Sequence, residues 1–149
     1  MRFLVAVTFC FFLLVSQAQA CRGQGDTLFF EATPNPQPDA DVIVKVTLSD
    51  VSVSEFIKGI ATAKVLQVLM APDKKLSQGS IVTMKYMVSS CGPDPINGSE
   101  GIIIAKTGTD AEGRFVLYPY TRRYEDGRIT APCIGRLSGQ ITDSCVHNR

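Results

Sequence analysis

The stretch Ala40-Asp41-Val42-Ile43-Val44-Lys45-Val46-Thr47-Leu48 decides the fold. Val42, Val44, Val46 and Leu48 share one side of a period-two repeat, while Asp41, Lys45 and Thr47 fall mostly on the other, which is the pattern of a half-buried strand. Downstream, Ile60 to Leu69 is an apolar run rich in Ala and β-branched residues, closed by Ala71-Pro72-Asp73; it reads as a second strand with no clear inward face. Ile81 to Val88 alternates again, placing Val82, Met84, Tyr86 and Val88 together and delivering Cys91 just past its end. Ile102-Ile103-Ile104-Ala105 is a short continuous apolar run of the kind covered on both faces, and Phe115 to Tyr118 follows the turn-prone Gly108 to Gly113. Five short strands and no long helical pattern predict an all-β chain. Closure into a small barrel would remove the exposed sheet edges.

Upstream, Pro34, Pro36 and Pro38 alternate with polar residues between Thr33 and Asp39, so this segment reads as an extended lead-in with the folded core beginning after it. Past Thr121 the periodicity weakens into a polar tail that holds Cys133 and Cys145. The beginning reads as an export signal: Arg2, an apolar run from Phe3 to Val15, then Ala18-Gln19-Ala20 as a small-x-small cleavage site. Cleavage after Ala20 makes Cys21 the first mature residue. A lipoprotein signal also ends at a cysteine, but it favours a branched aliphatic residue where this chain has Ala18. The expected organisation is a signal peptide over 1–20, one domain over 21–120 and a tail over 121–149.

Of 149 residues, 15 are Lys or Arg and 14 are Asp or Glu, and the leader takes Arg2 with it. The mature charge is therefore balanced, which argues against an electrostatic nucleic-acid binder. No apolar run after the leader reaches the ~18 residues of a membrane helix, so a secreted, extracellular protein is expected. Cys10 lies in the leader, leaving Cys21, Cys91, Cys133 and Cys145, an even set suited to two disulfides in an oxidising compartment. Their spacing leaves three connectivities open.

A mature amino-terminal cysteine, the Ala40–Val46 strand, Ser89-Ser90-Cys91-Gly92 at a strand end, and Glu100-Gly101-Ile102-Ile103-Ile104-Ala105-Lys106 followed by Glu112-Gly113 together resemble the N-terminal domain of the tissue inhibitors of metalloproteinases (TIMPs), a netrin-like (NTR) module. The resemblance covers Ala40 to Tyr118 plus Cys21 and is absent from the tail. It implies a five-stranded OB-fold Greek-key barrel with a short disulfide-bearing C-terminal tail, and a bridge from Cys21 to Cys91, which leaves Cys133 for Cys145. Family members carry Cys-x-Cys at the terminus, whereas this chain has Cys21-Arg22-Gly23. The usual partner of the missing cysteine follows the fifth strand, where this chain has Tyr118-Pro119-Tyr120, so both halves of one bridge are absent together.

The implied activity is inhibition of secreted zinc metalloproteases. A catalytic zinc keeps an open position for water, and an inhibitor has only to fill it. By the resemblance, the α-amino nitrogen and carbonyl oxygen of Cys21 chelate the partner's zinc, the protein needing no cofactor of its own. Near its ordinary pKa of about 7.7–8.0 the amine is available in neutral form. The Cys21 sulfur, spent on Cys91, would hold the terminus rigid and so reduce the entropy lost on binding. Closing a loop of about seventy residues would also stabilise the fold by roughly 4 kcal/mol in the chain-entropy view. Cys21, Arg22, Gly23 and Gln24, with Val88 and Ser89, would form the ridge that enters the protease cleft. Arg22 departs from the small hydroxyl residue found there in the family: the target's pocket must be acidic or roomy, or inhibition is weakened or lost. The alternative is a non-inhibitory netrin-like module that binds extracellular matrix components.

Other features read more plainly. Asn97-Gly98-Ser99 is a glycosylation acceptor in a predicted loop. Lys74-Lys75 and Arg122-Arg123 could meet an acidic polysaccharide, though such pairs are commonly solvated surface. His147 has no thiol or acidic partner at ligand spacing. No zinc-protease helix motif, nucleophile elbow, phosphate loop or Cys-x-x-Cys occurs, so no enzyme is expected.

Overall fold

The computed structural model describes residues 25–54, 57–73 and 75–134. Five strands close into one barrel: β2 (Val42–Ser54), β3 (Lys58–Met70), β4 (Ile81–Met87), β5 (Glu100–Thr109) and β6 (Phe115–Pro119). Their order around it is β2-β3-β4-β6-β5, and β5 pairs back onto β2. The β4–β6 pair is parallel and the others antiparallel, which gives the mixed five-stranded barrel of an OB-fold. All five strands stand where the apolar patterns predict them, β2, β3 and β5 extending further than their apolar runs. No helix occurs among the described residues.

The inner face of β2 is the predicted one. Val44 and Val46 are completely buried and Val42 and Leu48 nearly so, packed with Met84, Tyr86, Ile103, Ala105 and Leu117. On β3 the inward residues are Ala61, Ala63 and Val65, followed by Val68. The change of parity has a cause: between Val65 and Val68 the pairing to β2 slips once, from Val46 with Val65 to Lys45 with Gln67, and it slips again between Val44 with Val68 and Ile43 with Met70. Such bulges let apolar residues of both parities face one core and bend the strand around the barrel. Gly59 serves the same closure, since a Cβ there would lie 2.1 Å from the Tyr86 ring.

The isoleucine run of β5 is covered on both faces, as its continuity predicts. Ile103 points into the barrel, while Ile104 joins a second cluster with Phe30, Ile43 and Tyr120 on the outside. That outer cluster corrects the expectation that the core begins after Asp39. Leu28, 1% exposed, sits in the barrel core and Phe30 in the outer one, with Phe30 N donating to Ile102 O at 2.8 Å. The proline run itself is irregular and largely exposed, as expected, and is tied down where Tyr120 Oη donates to Asp39 O at 2.6 Å. Its three apolar predecessors, Leu28-Phe29-Phe30, gain more from burial against β5 than an extended lead-in would allow.

Strands also form within residues 121–130. β7 (Thr121–Arg123) pairs with β8 (Ile129–Thr130) on one side and with β1 (Asp26–Thr27) on the other, a three-stranded antiparallel sheet joining both ends of the described chain. The expected leader over 1–20, the residues Cys21–Gln24, Lys74, Cys145 and His147 lie outside the described residues.

Candidate functional site

After β4 the chain folds back on itself. Val88 N donates to Ile57 O at 2.7 Å, and Ser89 and Gly92 then exchange backbone hydrogen bonds of 2.8 and 3.1 Å. Ser89 Oγ closes the turn twice, donating to Gly92 O at 3.0 Å and accepting from Cys91 N at 3.2 Å. Short hydroxyl side chains suit such a turn because they bond neighbouring backbone groups. Gly92 has φ of 106° and a cis bond to Pro93. A Cβ on Gly92 would sit 2.7 Å from Asp26 O, so the residue is required both by its backbone angle and by the chain crossing above it.

The crossing chain is the first described segment. Asp26 N donates to Cys91 O at 2.8 Å, and Tyr124 N donates to Gly25 O at 2.9 Å. Asp26 and Arg123 form an ion pair at 3.0 Å, with both side chains largely covered. The Asp26 carboxylate, by hydrogen bond and charge, raises the Arg123 pKa further above its already high value. Behind this, Phe29 lies over Gly101, where a Cβ would come within 2.7 Å of its ring. The first described segment is thus held between the Ser89–Gly92 turn on one side and β7 on the other. A cleft of about 520 Å³ runs alongside, walled by Gly25–Thr27, Ser90–Pro95 and Tyr124.

Of the residues assigned to the ridge from sequence, Val88 and Ser89 are described. Ser89 is exposed at the turn, whereas Val88 is half-buried against the barrel core, so the turn presents its serines outward and keeps its valine as an anchor. Cys91 and Cys133 are each disulfide-bonded. The cysteines expected to meet them, Cys21 and Cys145, and the ridge residues Arg22, Gly23 and Gln24 are outside the described residues.

Asn97 is exposed in its loop; its Oδ1 accepts from Val51 N at 2.9 Å, a bond that leaves the amide nitrogen unused. The basic pair Arg122-Arg123 is built into the fold: Arg123 is committed to Asp26, while Arg122 stacks 5.6 Å from the Tyr124 ring centroid and reaches Glu31 at 3.7 Å. Lys75 stands 6.0 Å over the Phe115 ring. Among the described residues no three His, Cys, Asp or Glu side chains gather as a metal-binding set.

Sequence reasoning does not single out Asp26 or Tyr124, and it meets Arg123 only as half of a surface basic pair, although these three residues fix the first described segment. Asp26 and Arg123 are 97 positions apart, and no local pattern links them. Gly92 was more accessible, since a glycine directly after a strand-end cysteine marks a turn. No family model, curated protein or solved structure matches this chain.

Proposed function

We propose that the protein is a secreted inhibitor of zinc metalloproteases, acting through the α-amino nitrogen and carbonyl oxygen of a mature terminus at Cys21. The observation that carries this reading is the 2.8 Å bond from Asp26 N to Cys91 O, which fixes the chain five residues after Cys21 against the turn that holds Cys91. Chain from Cys21 to Gly25 spans about 14 Å at full extension, so a Cys21–Cys91 bridge is within reach, and a disulfide at Cys91 accords with it. In that arrangement the terminal amine is held on a barrel edge beside the exposed Ser89 and Ser90.

Chelation by one amino-terminal residue requires an unblocked amine, in its neutral form, at a fixed place. The neutral form becomes more available as pH rises toward the ordinary α-amino pKa of about 7.7–8.0. Pre-ordering by the Asp26–Arg123 pair and the turn lowers the cost of docking. Arg22 supports the second reading, a netrin-like module of the extracellular matrix without inhibitory action, because a long cation at that position needs an acidic counterpart in the target.

One experiment separates the two. Mature protein beginning at Cys21 is compared with the same protein carrying one extra alanine before Cys21, against a panel of secreted zinc endopeptidases. Chelation predicts inhibition by the first and a loss of at least about 100-fold with the second, since the added residue removes both the amine and the ring geometry. Equal potency refutes the chelating terminus. Inactivity of both across the panel favours the matrix-binding module.

A further inference from the structure

The long hairpin of β2 and β3 carries a bulge on β2. Ser49 pairs with Thr62 and Ser52 with Ile60, so Asp50 and Val51 stand opposite the single residue Ala61. Asp50 takes a φ of 51°, and Val51 has no partner residue on β3. The Val51 amide is satisfied from another loop, donating to Asn97 Oδ1 at 2.9 Å. Asn97 stands at the second position of a type II turn, which Ser99 N closes on Ile96 O at 3.0 Å while Gly98 supplies the positive φ, 87°, that such a turn needs. Ser99 Oγ accepts a further bond from Ile96 N at 3.0 Å. The turn is fastened to β2, Gly98 N donating to Leu48 O at 2.8 Å and Leu48 N to Ser99 O at 2.9 Å.

The fold therefore asks only an acceptor oxygen of residue 97, and an aspartate would supply one equally. The amide nitrogen is surplus to it. Among the described residues Asn97 Nδ2 makes no bond, the side chain is exposed, and a Cβ placed on the neighbouring Gly98 would meet nothing within 4 Å. A free carboxamide nitrogen in an open turn, two residues before a hydroxyl, is the acceptor arrangement for N-linked sugar. Ser99 lines the cleft beside Cys91, whereas Asn97 is turned away from it toward β2.

We propose that Asn97 carries an N-linked oligosaccharide and that its carboxamide stays clamped to Val51 beneath the sugar. The donor is an oligosaccharide on a lipid diphosphate. Nδ2 bonds to the anomeric carbon, the bond from that carbon to the phosphate oxygen breaks with its electron pair leaving on the lipid diphosphate, and one amide proton passes to a base of the transferase. The product is still an amide, so Oδ1 goes on accepting from Val51 N while the sugar leaves from the other side of the group. It places a bulky hydrated chain beside Ile96, which is 70% exposed. The proposal rests on the export reading, which brings the chain to the transferase, and uses none of the protease chemistry.

The test is translation of the full chain, leader included, with eukaryotic microsomes, scoring chains that survive added protease as translocated. Translocated chains should run more slowly, recover their mobility with peptide-N-glycosidase F, and then show a carboxylate at position 97 by peptide mass spectrometry. Asn97→Asp, which keeps the acceptor for Val51, and Ser99→Ala should abolish the shift, and Ser99→Thr should retain it. In the glycosylated protein the Val51 amide should exchange with solvent as slowly as in Asn97→Asp, and about fivefold to tenfold faster in Asn97→Ala, the effect of one lost hydrogen bond. Translocated chains without sugar at Asn97 overturn the site and leave export standing. Chains left outside the vesicles overturn the export reading, and the site with it. A Val51 amide that exchanges fast only when the sugar is attached overturns the clamp.

Discussion

The barrel and the small sheet that joins the two ends of the described residues are held together by different physics. In the barrel, Val44, Val46, Met84, Ile103 and Leu117 are fully removed from water, and the stabilisation is the non-directional gain of burying apolar surface. In the β1-β7-β8 sheet the strands are two or three residues long, built from Asp26, Thr27, Thr121, Arg122 and Arg123 around a single well-covered ion pair. Strands that short do not persist alone. They stand because the barrel beside them is finished, and because Gly92 leaves room for Asp26 to cross. The scaffold is robust and the candidate site leans on it.

Substitutions should therefore fall into two kinds, one that weakens everything and one that loosens the first described segment alone. The largest effect is expected from Leu117→Ala, in the centre of the barrel core, which should destabilise the whole protein by about 3 kcal/mol in urea unfolding. A cost under about 1 kcal/mol would mean that the barrel core repacks more freely than its close packing implies.

Gly92→Ala should cost less, about 2 kcal/mol, from an unfavourable backbone angle and the contact with Asp26 O. Its signature is local: the Asp26 amide should exchange with solvent far faster, while amides of β2 and β5 keep most of their protection. Uniform loosening of both regions would erase the distinction between scaffold and site.

The smallest effect concerns pH. Burial raises the Asp41 pKa, but hydrogen bonds from Thr107 N at 2.7 Å and Thr107 Oγ1 at 3.1 Å, together with the Lys106 charge, outweigh it and leave the carboxyl below its ordinary 3.8. A carboxyl with a depressed folded pKa contributes stability above its unfolded value and loses it as pH falls through the folded one. The stability gap between the protein and Asp41→Asn should thus be constant near neutrality and shrink below pH 3.8. Lys106, held also by Asp39 at 2.9 Å, keeps the pair on the barrel wall, so amides of β1 should not respond.

The same contrast explains what could be read from the sequence. Strands β2 and β4 announce themselves because each is buried on one face, and β5 because it is buried on both, so burial writes a local period into the chain. Strand β3 was found without its inward face, since the slips near Val65 and Val68 change parity where a period would be counted. The β1-β7-β8 sheet left no such record: Asp26 and Arg123 are ordinary polar residues, and only the fold brings them together. Leu28 and Phe30 are buried without a local sign of it, since the three prolines that follow them mark only the exposed part of the segment. Cys91-Gly92 was legible because a turn needs particular residue types, whereas the room that Gly92 leaves for Asp26 is a property of two distant segments.

That Asp26 meets a residue 97 positions later sets an order of assembly. Loop-closure entropy opposes this pairing until the intervening barrel has drawn the two segments close. The segment at Asp26 must therefore wait for the one at Arg123: a polypeptide cut short before Arg123, or one with an unclosed barrel, would leave Asp26 without its counter-ion. The β1 pairing thus reports on the success of the barrel's own folding.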